Sequence, residues 1–343
     1  MTTRITEGGV SMKKTIYTAI SAVCLFITFA AASIAQQLPV GPISLKCDRK
    51  CLESVIDDYL AALVAHDPSK LPLSADIRYS ENEQMMDIGD GFWNTVSARG
   101  NYSHYFADPE AGQAGFIGTM VEGKNKLLYA LRIRIQLGRI TEVETSIYRP
   151  GGAPFEGVKE MDDLGKPEDI WLDPVPANKR ATRQELIAVA NAYFEGLQNN
   201  DGKGYYPFTD DCHRIENGYA TTNNPNAIPS RSGFDAFALD CKTQFKSGYY
   251  RIVGRIHHRR FPLVDVERGI VYAYCIFDHP GNIHKYKLTD GREVDMSFFS
   301  RPSSIQVTEV FLIENGLIRR VEMVGSSAPY HTNPPWDGGL SGK

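Results

Sequence analysis

The stretch VTEVFLIENGLIRRVEM, residues 307–323, carries a carboxylate where packing is expected. Two runs of alternating apolar residues flank Asn315-Gly316, the dipeptide of a two-residue β-hairpin turn. Side chains alternate along a strand, so Val307, Glu309, Phe311 and Ile313 share a face. A carboxylate buried there is costly unless it is partnered or works in a cavity. The alternative is a strand-end glutamate that reaches solvent beside Ser304 and Thr308. Three further stretches offer partners. VYAYCIFDH (271–279) divides into Tyr272, Tyr274 and Asp278 on one face, with Val271, Ala273, Cys275, Phe277 and His279 on the other. RIHHRRF (255–261) presents His257 and Arg259 on one face, His258 and Arg260 on the other. Arg214, Glu216 and Asn217 follow Cys212 on a third strand.

A carboxylate, an imidazole and phenols around an apolar volume suit proton abstraction beside a carbonyl, with a donor steadying the enolate. They suit elimination equally, one group taking a proton and another protonating the departing oxygen. Burial would raise the carboxylate pKa toward neutrality. The candidate catalytic residues are therefore Glu309, Asp278, His258, Tyr274 and Glu216, and the candidate binding residues Arg214, Asn217, Tyr272, His279 and Arg260. The competing reading places these charges in cross-strand ion pairs on a solvated sheet face, RIHHRR above all.

The elements that position them recur in order along the chain. CLESVIDDYLAALVAHDPSKL (51–71) and ELIAVANAYFEGLQNNDGKGY (185–205) both read as amphipathic helices, with Tyr59 and Leu63 answering Tyr193 and Leu197. Glu81-Asn82 in RYSENE matches Glu216-Asn217 in HRIENG, and the hairpin LRIRIQLGRITEVETSIY (131–148) matches 309–326. In this alignment Glu309 stands where the first copy has Leu131, and Glu322 where it has Glu144. The second copy is some 43 residues longer, with the surplus expected in the turn-rich TTNNPNAIPSRSG and HPGNIHKYKLTDGREVD. The Glu-Asn pair, present in both copies, favours architecture over catalysis. In the first copy the candidates are Asn82, Tyr105 and Asp108, with His104 beside them as an acid–base partner; GDGFW, ending at Trp93, is expected to be a turn into an aromatic anchor.

Near the N-terminus, Lys13 and Lys14 precede an apolar run, Ala19 to Ala32, and a small-x-small site, Ser33-Ile34-Ala35. This reads as a signal peptide cleaved after Ala35, with residues 1–11 as an over-long start, and predicts a periplasmic or secreted protein. The remaining 308 residues carry a net charge of about −6, which argues against nucleic acid as a partner. No further stretch is long enough for stable membrane insertion. An oxidising compartment permits disulfides, and Cys47/Cys51 and Cys212/Cys241 are the expected pairs, with Cys275 free. Neither CxxC nor HxxxH occurs, so no metal site is expected. Without a GxSxG elbow, a phosphate loop or a dinucleotide fingerprint, lipase, kinase and NAD chemistry are not indicated.

A long helix followed by long antiparallel strands is an α+β order. In the opening helix, the strand order and the closing hairpin, each copy resembles the NTF2-like superfamily, which includes ketosteroid isomerase, scytalone dehydratase and the SnoaL-type cyclases. The resemblance implies two tandem cone domains, each a curved antiparallel sheet wrapped around an N-terminal helix, at 45–150 and 181–330. A linker (151–180) would join them and a tail (331–343) would follow. It also implies a pocket inside each cone, sheet-to-sheet pairing as a homodimer or an intramolecular pseudo-dimer, and cofactor-independent lyase, dehydratase or isomerase chemistry. The substrate class would be an aromatic or polycyclic small molecule, lignin-derived aromatics among them. Seventeen Tyr and sixteen Phe fit such a ligand and an ordinary core alike. The rival is a non-catalytic module of the cell envelope that binds a small molecule or a protein.

Overall fold

The structure, a computed structural model, describes residues 47–151 and 156–336. The expected signal segment lies outside the described residues, as do 152–155 and 337–343. Two helices set the two cones. In α1 (Arg49–Val64), Asp48 caps the first turn by accepting from the Cys51 amide at 2.9 Å, and Leu52, Ile56, Tyr59, Leu60 and Leu63 form the buried stripe. In α3 (Arg183–Gln198), Thr182 and Glu185 form a capping box, and Leu186, Ala190, Tyr193, Phe194 and Leu197 repeat that stripe.

The first helix is followed by β1 (Leu73–Glu81), β2 (Gln84–Met86), β3 (Val96–Asp108), β4 (Gln113–Glu122), β5 (Asn125–Gln136) and β6 (Arg139–Tyr148). The second is followed by β7 (Phe208–Glu216), β8 (Tyr219–Ala220), β9 (Arg255–Asp265), β10 (Ile270–His279), β13 (Ser303–Glu314) and β14 (Leu317–Ala328). Between them lie α2 (Val158–Leu164), α4 (Cys241–Lys246) and the small hairpin β11 (Lys285–Lys287) and β12 (Glu293–Asp295). The sheets have the same order, β2-β1-β6-β5-β4-β3 and β8-β7-β14-β13-β10-β9. This is an α+β architecture of two halves, each a six-stranded sheet with one long helix against one face. One detail differs from expectation: β1 pairs β6, and β7 pairs β14, in parallel. The first strand of each sheet docks beside the last strand of a meander, so no hairpin sets its direction.

Each helix covers one face of its sheet and forms an apolar core there. The opposite faces pack on each other, and Tyr102, Phe106, Ile117, Tyr272, Tyr274, Val310 and Val324 form a third core between the sheets. Matching ion pairs tie the halves together. Arg49, at the start of α1, donates to Asp265 at the end of β9, and Arg183, at the start of α3, donates to Asp108 at the end of β3. The stretch expected as a surface linker contributes Val158, Met161 and Trp171 to the layer between the sheets. Its buried Asp162 accepts from the Asn101 amide and the Thr119 hydroxyl. The second half's extra length falls between β8 and β9, which holds α4, and between β10 and β13, which holds the β11–β12 hairpin. Cys47 and Cys51, and Cys212 and Cys241, are paired as disulfides with Cα atoms 5.2 and 5.9 Å apart, and Cys275 is free and buried. Among the described residues no helix is long and apolar enough to cross a membrane.

Candidate active site

Glu309 is 2 % exposed and faces the second cone. On β13 it pairs in register with Ala273 of β10, so its side chain shares the face of Val307, Phe311 and Cys275. The Tyr193 hydroxyl, from α3, donates to Glu309 Oε1 at 2.7 Å, while Oε2 has no hydrogen-bond partner. Phe194, Phe208, Phe245 and Phe311 surround that phenol. Burial pushes the Glu309 carboxyl up to about 8; Arg214 opposes the rise and Glu216 adds to it. At neutral pH this carboxyl is mainly the neutral acid.

Arg214, on β7, is the charged centre of the same cone. Its guanidinium donates to Gln244 Oε1 at 2.6 Å, to the Tyr250 hydroxyl at 2.7 Å and to Glu216, leaving Nε without a partner. It also lies over the rings of Tyr193, Phe245 and Tyr250. These attractions hold its proton firmly against the cost of burial. Arg214 and Glu216 are thus close enough to act on the Glu309 charge. At the corresponding positions the first cone has Leu131, Tyr79 and Glu81, so the second cone gains a buried carboxyl and a guanidinium together.

Other candidates lie elsewhere. Tyr272 and Tyr274 point away from Glu309, into the layer between the sheets, where Tyr274 donates to the Glu144 carbonyl at 3.4 Å and Tyr272 to the Leu131 carbonyl at 3.3 Å. Their convergence with Glu309 is corrected: they sit on the other side of the sheet, and that side is buried by the first half. Arg260 joins them there, paired to Glu144. The expected facing of His257 with Arg259 also fails. His258 adopts φ +51°, and the β9–β10 register shifts there by one residue, the second of two such shifts along the pair, a β-bulge. The extra residue resets the alternation, so Arg259 reaches Asn191 and Gln198 on α3 while His257 faces Asp278.

Asp278 belongs to a separate cluster. It accepts from Arg255 at 2.8 Å and from the Ser304 hydroxyl at 2.5 Å, with His257 Nε2 at 3.3 Å. Burial disfavours its charge, but the Ser304 and Arg255 bonds more than offset this and hold the carboxyl below its usual range. His258 Nδ1 lies 2.6 Å from His257 Nδ1, and burial lowers both imidazoles. His279 stacks on Phe299, ring centroids 4.9 Å apart, and burial takes it down to about 4, so it is neutral.

Asn217 and Asn82 are architectural. Each adopts a left-handed conformation, φ +49° and +48°, and each carboxamide bridges the backbone of a neighbouring strand end, Gly325 and Ile147 respectively. In the first half, His104, Tyr105 and Asp108 do not form one group. Tyr105 donates to Asp57 on α1 at 2.8 Å, Asp108 accepts from the Val264 amide and Arg183, and His104 faces the other sheet. Tyr193, Gln244 and Tyr250 were not singled out as site residues. Tyr193 left a signal as the repeated helix tyrosine. Gln244 and Tyr250 left none, because they lie in the second half's extra segment.

Two cavities are of note, about 50 and 10 Å³, and neither is lined by Glu309. A family model described as "Domain of unknown function (DUF8021)" matches residues 179–325, the second cone. No curated protein matches the sequence. Solved structures similar to parts of the chain include the "putative ketosteroid isomerase" of Kribbella flavida DSM 17836, at 14 % identity over 38 % of this chain and 94 % of that one, TM-score 0.26. An NTF-2 like protein of unknown function from Burkholderia xenovorans LB400 is similar at 8 % identity over 30 % and 87 %, TM-score 0.24. A protein with a cystatin-like fold from Methylobium petroleophilum PM1 is similar at 14 % identity over 31 % and 82 %, TM-score 0.27. At these scores the likenesses carry no argument about activity.

Proposed function

We propose that this chain is an exported, cofactor-independent acid–base enzyme of two tandem NTF2-like copies, with its working site in the second. The reaction class is lyase, by elimination of water from an aromatic β-hydroxy ketone, with isomerisation through the same enolate as second choice. One observation carries the reading: a buried carboxyl bonded to the Tyr193 hydroxyl, with its other oxygen unpartnered, in the same cone as the Arg214–Glu216 ion pair. Glu216, the partly exposed carboxylate of that pair, takes the proton α to the carbonyl. Arg214 steadies the enolate oxygen. The carbon–oxygen bond then breaks, and Glu309 gives its proton to the departing hydroxyl, releasing water and a conjugated enone. Solvent exchange returns the proton from Glu216 to Glu309. The first cone, whose corresponding positions are Leu131 and Tyr79, is structural.

A second reading is a non-catalytic binding module, favoured by the two cavities, neither of which adjoins Glu309. The full mature chain, incubated with 3-hydroxy-1,3-diphenylpropan-1-one and followed by enone absorbance, separates them. An enzyme gives turnover whose kcat/KM falls as pH rises through about 8, because the acid form of Glu309 is lost. Binding without turnover supports the module, and a rate that rises through pH 8 contradicts the acid role.

A further inference from the structure

Between the two sheets, a cavity of about 50 Å³ is lined by Tyr102, Met161, Leu164, Trp171, Arg320 and Glu322 among others. One water needs only ~10–15 Å³ of such volume, so there is room for a few heavy atoms. Glu322, on β14, is 4 % exposed and pairs in register with Val310, on the sheet face opposite to that of Glu309. Its Oε2 accepts from the Tyr102 hydroxyl at 3.1 Å and lies 2.9 Å from His104 Nδ1. Its Oε1 is buried without a hydrogen-bond partner, as is His104 Nε2. A buried acceptor left in this way is destabilising, and a donor that reaches it recovers the loss.

The other charges at this wall are engaged. Arg320 donates to Glu168 at 2.9 Å and to the Asp211 carbonyl at 2.9 Å, and Lys166 donates to Asp169 at 2.7 Å. Among the described lining residues, which include His213, Glu322 Oε1 is the fully buried side-chain polar atom without a hydrogen-bond partner. Around it stand Tyr102 and Trp171, whose ring faces attract cations, and the apolar Met161 and Leu164. An acceptor-only oxygen within aromatic walls favours a positively charged N–H donor with a small apolar body over any anion.

We propose that this cavity binds a small organic ammonium ion the size of dimethylammonium, an N–H donated to Glu322 Oε1 and the methyl groups against Trp171 and Tyr102. The site is independent of the second cone. Three heavy atoms limit the affinity to roughly millimolar. Titration of the full mature chain with dimethylammonium chloride, at constant ionic strength, is expected to shift the Trp171 indole NMR signal saturably. Sodium acetate at the same concentrations should leave it in place. Glu322→Gln should weaken binding by about 10-fold or more, through loss of a charge-assisted bond. Leu164→Trp, at an exposed position on the cavity wall, should block binding while leaving the carboxylate and the fold intact. No saturable shift of the wild type up to about 50 mM, well above the affinity that three heavy atoms allow, overturns the proposal. So does wild-type binding by Leu164→Trp, or a shift that sodium chloride reproduces.

Discussion

Glu309→Gln is expected to leave the second cone folded and to reduce turnover by about 10²- to 10⁴-fold, the usual contribution of a positioned acid or base. The amide keeps the volume and still accepts from Tyr193, but it carries no transferable proton. The same substitution should alter stability in a pH-dependent way. A carboxyl raised from 4.5 to about 8 on folding binds more protons folded than unfolded across that window. Wild-type stability therefore declines as pH rises from 4.5 to 8 and levels off above it. The amide has no such dependence, so the variant gains on the wild type by roughly 3 to 5 kcal/mol between pH 5 and 8. Urea unfolding at the two pH values checks the sign. Glu314→Gln is the control: this residue is exposed at the hairpin turn, bonded to Arg319, and should change neither property.

Between the sheets, Glu144→Gln is expected to destabilise the whole described unit. Glu144 is 2 % exposed and receives both Arg132, at 2.9 Å, and Arg260. Arg132 keeps Glu142 and Gln113, but Arg260 loses its hydrogen-bonded carboxylate while remaining buried. Breaking one side of such a pair costs about 3–5 kcal/mol. The deficit should shrink at high pH. Burial, and then the Glu144 charge, push the neighbouring Glu83 carboxyl from 4.5 up to about 8, so the wild type loses stability as pH rises through that window and carries the full penalty above it. Without Glu144, Glu83 ionises more readily beside Arg260 and the penalty lessens. Unfolding at pH 6 and pH 9 tests both parts, and a loss under about 1 kcal/mol at pH 6 contradicts the role of the pair.

Strand alternation made much of this legible. Alternation put Glu309 on the face of Val307, Phe311 and Ile313 but left a solvent-reaching strand end as the alternative, which its burial removes; the division of 271–279 into two faces matches the structure. What alternation could not supply is that both faces are buried. Tyr272 and Tyr274 therefore looked like pocket phenols, when they are the contact surface for the first half's sheet. His258 marks a second limit, since the extra residue there reverses the facing of 255–257 relative to Arg259 and Arg260. Repetition was more informative than composition. The matching Glu-Asn pairs pointed to architecture, and Asn82 and Asn217 make the same bridge in each half. Where the halves differ in length, repetition is silent, and Gln244 and Tyr250 lie in that difference.

At physiological pH Glu309 is expected to be a neutral acid inside the second cone. Selective ¹³C labelling of glutamate side chains, with Glu309 assigned by its disappearance in Glu309→Gln, gives its titration directly. The expected carboxyl midpoint is about 8, well above those of surface glutamates. A midpoint near 4.5, the ordinary glutamate value, would contradict it and return Glu309 to a solvated strand residue.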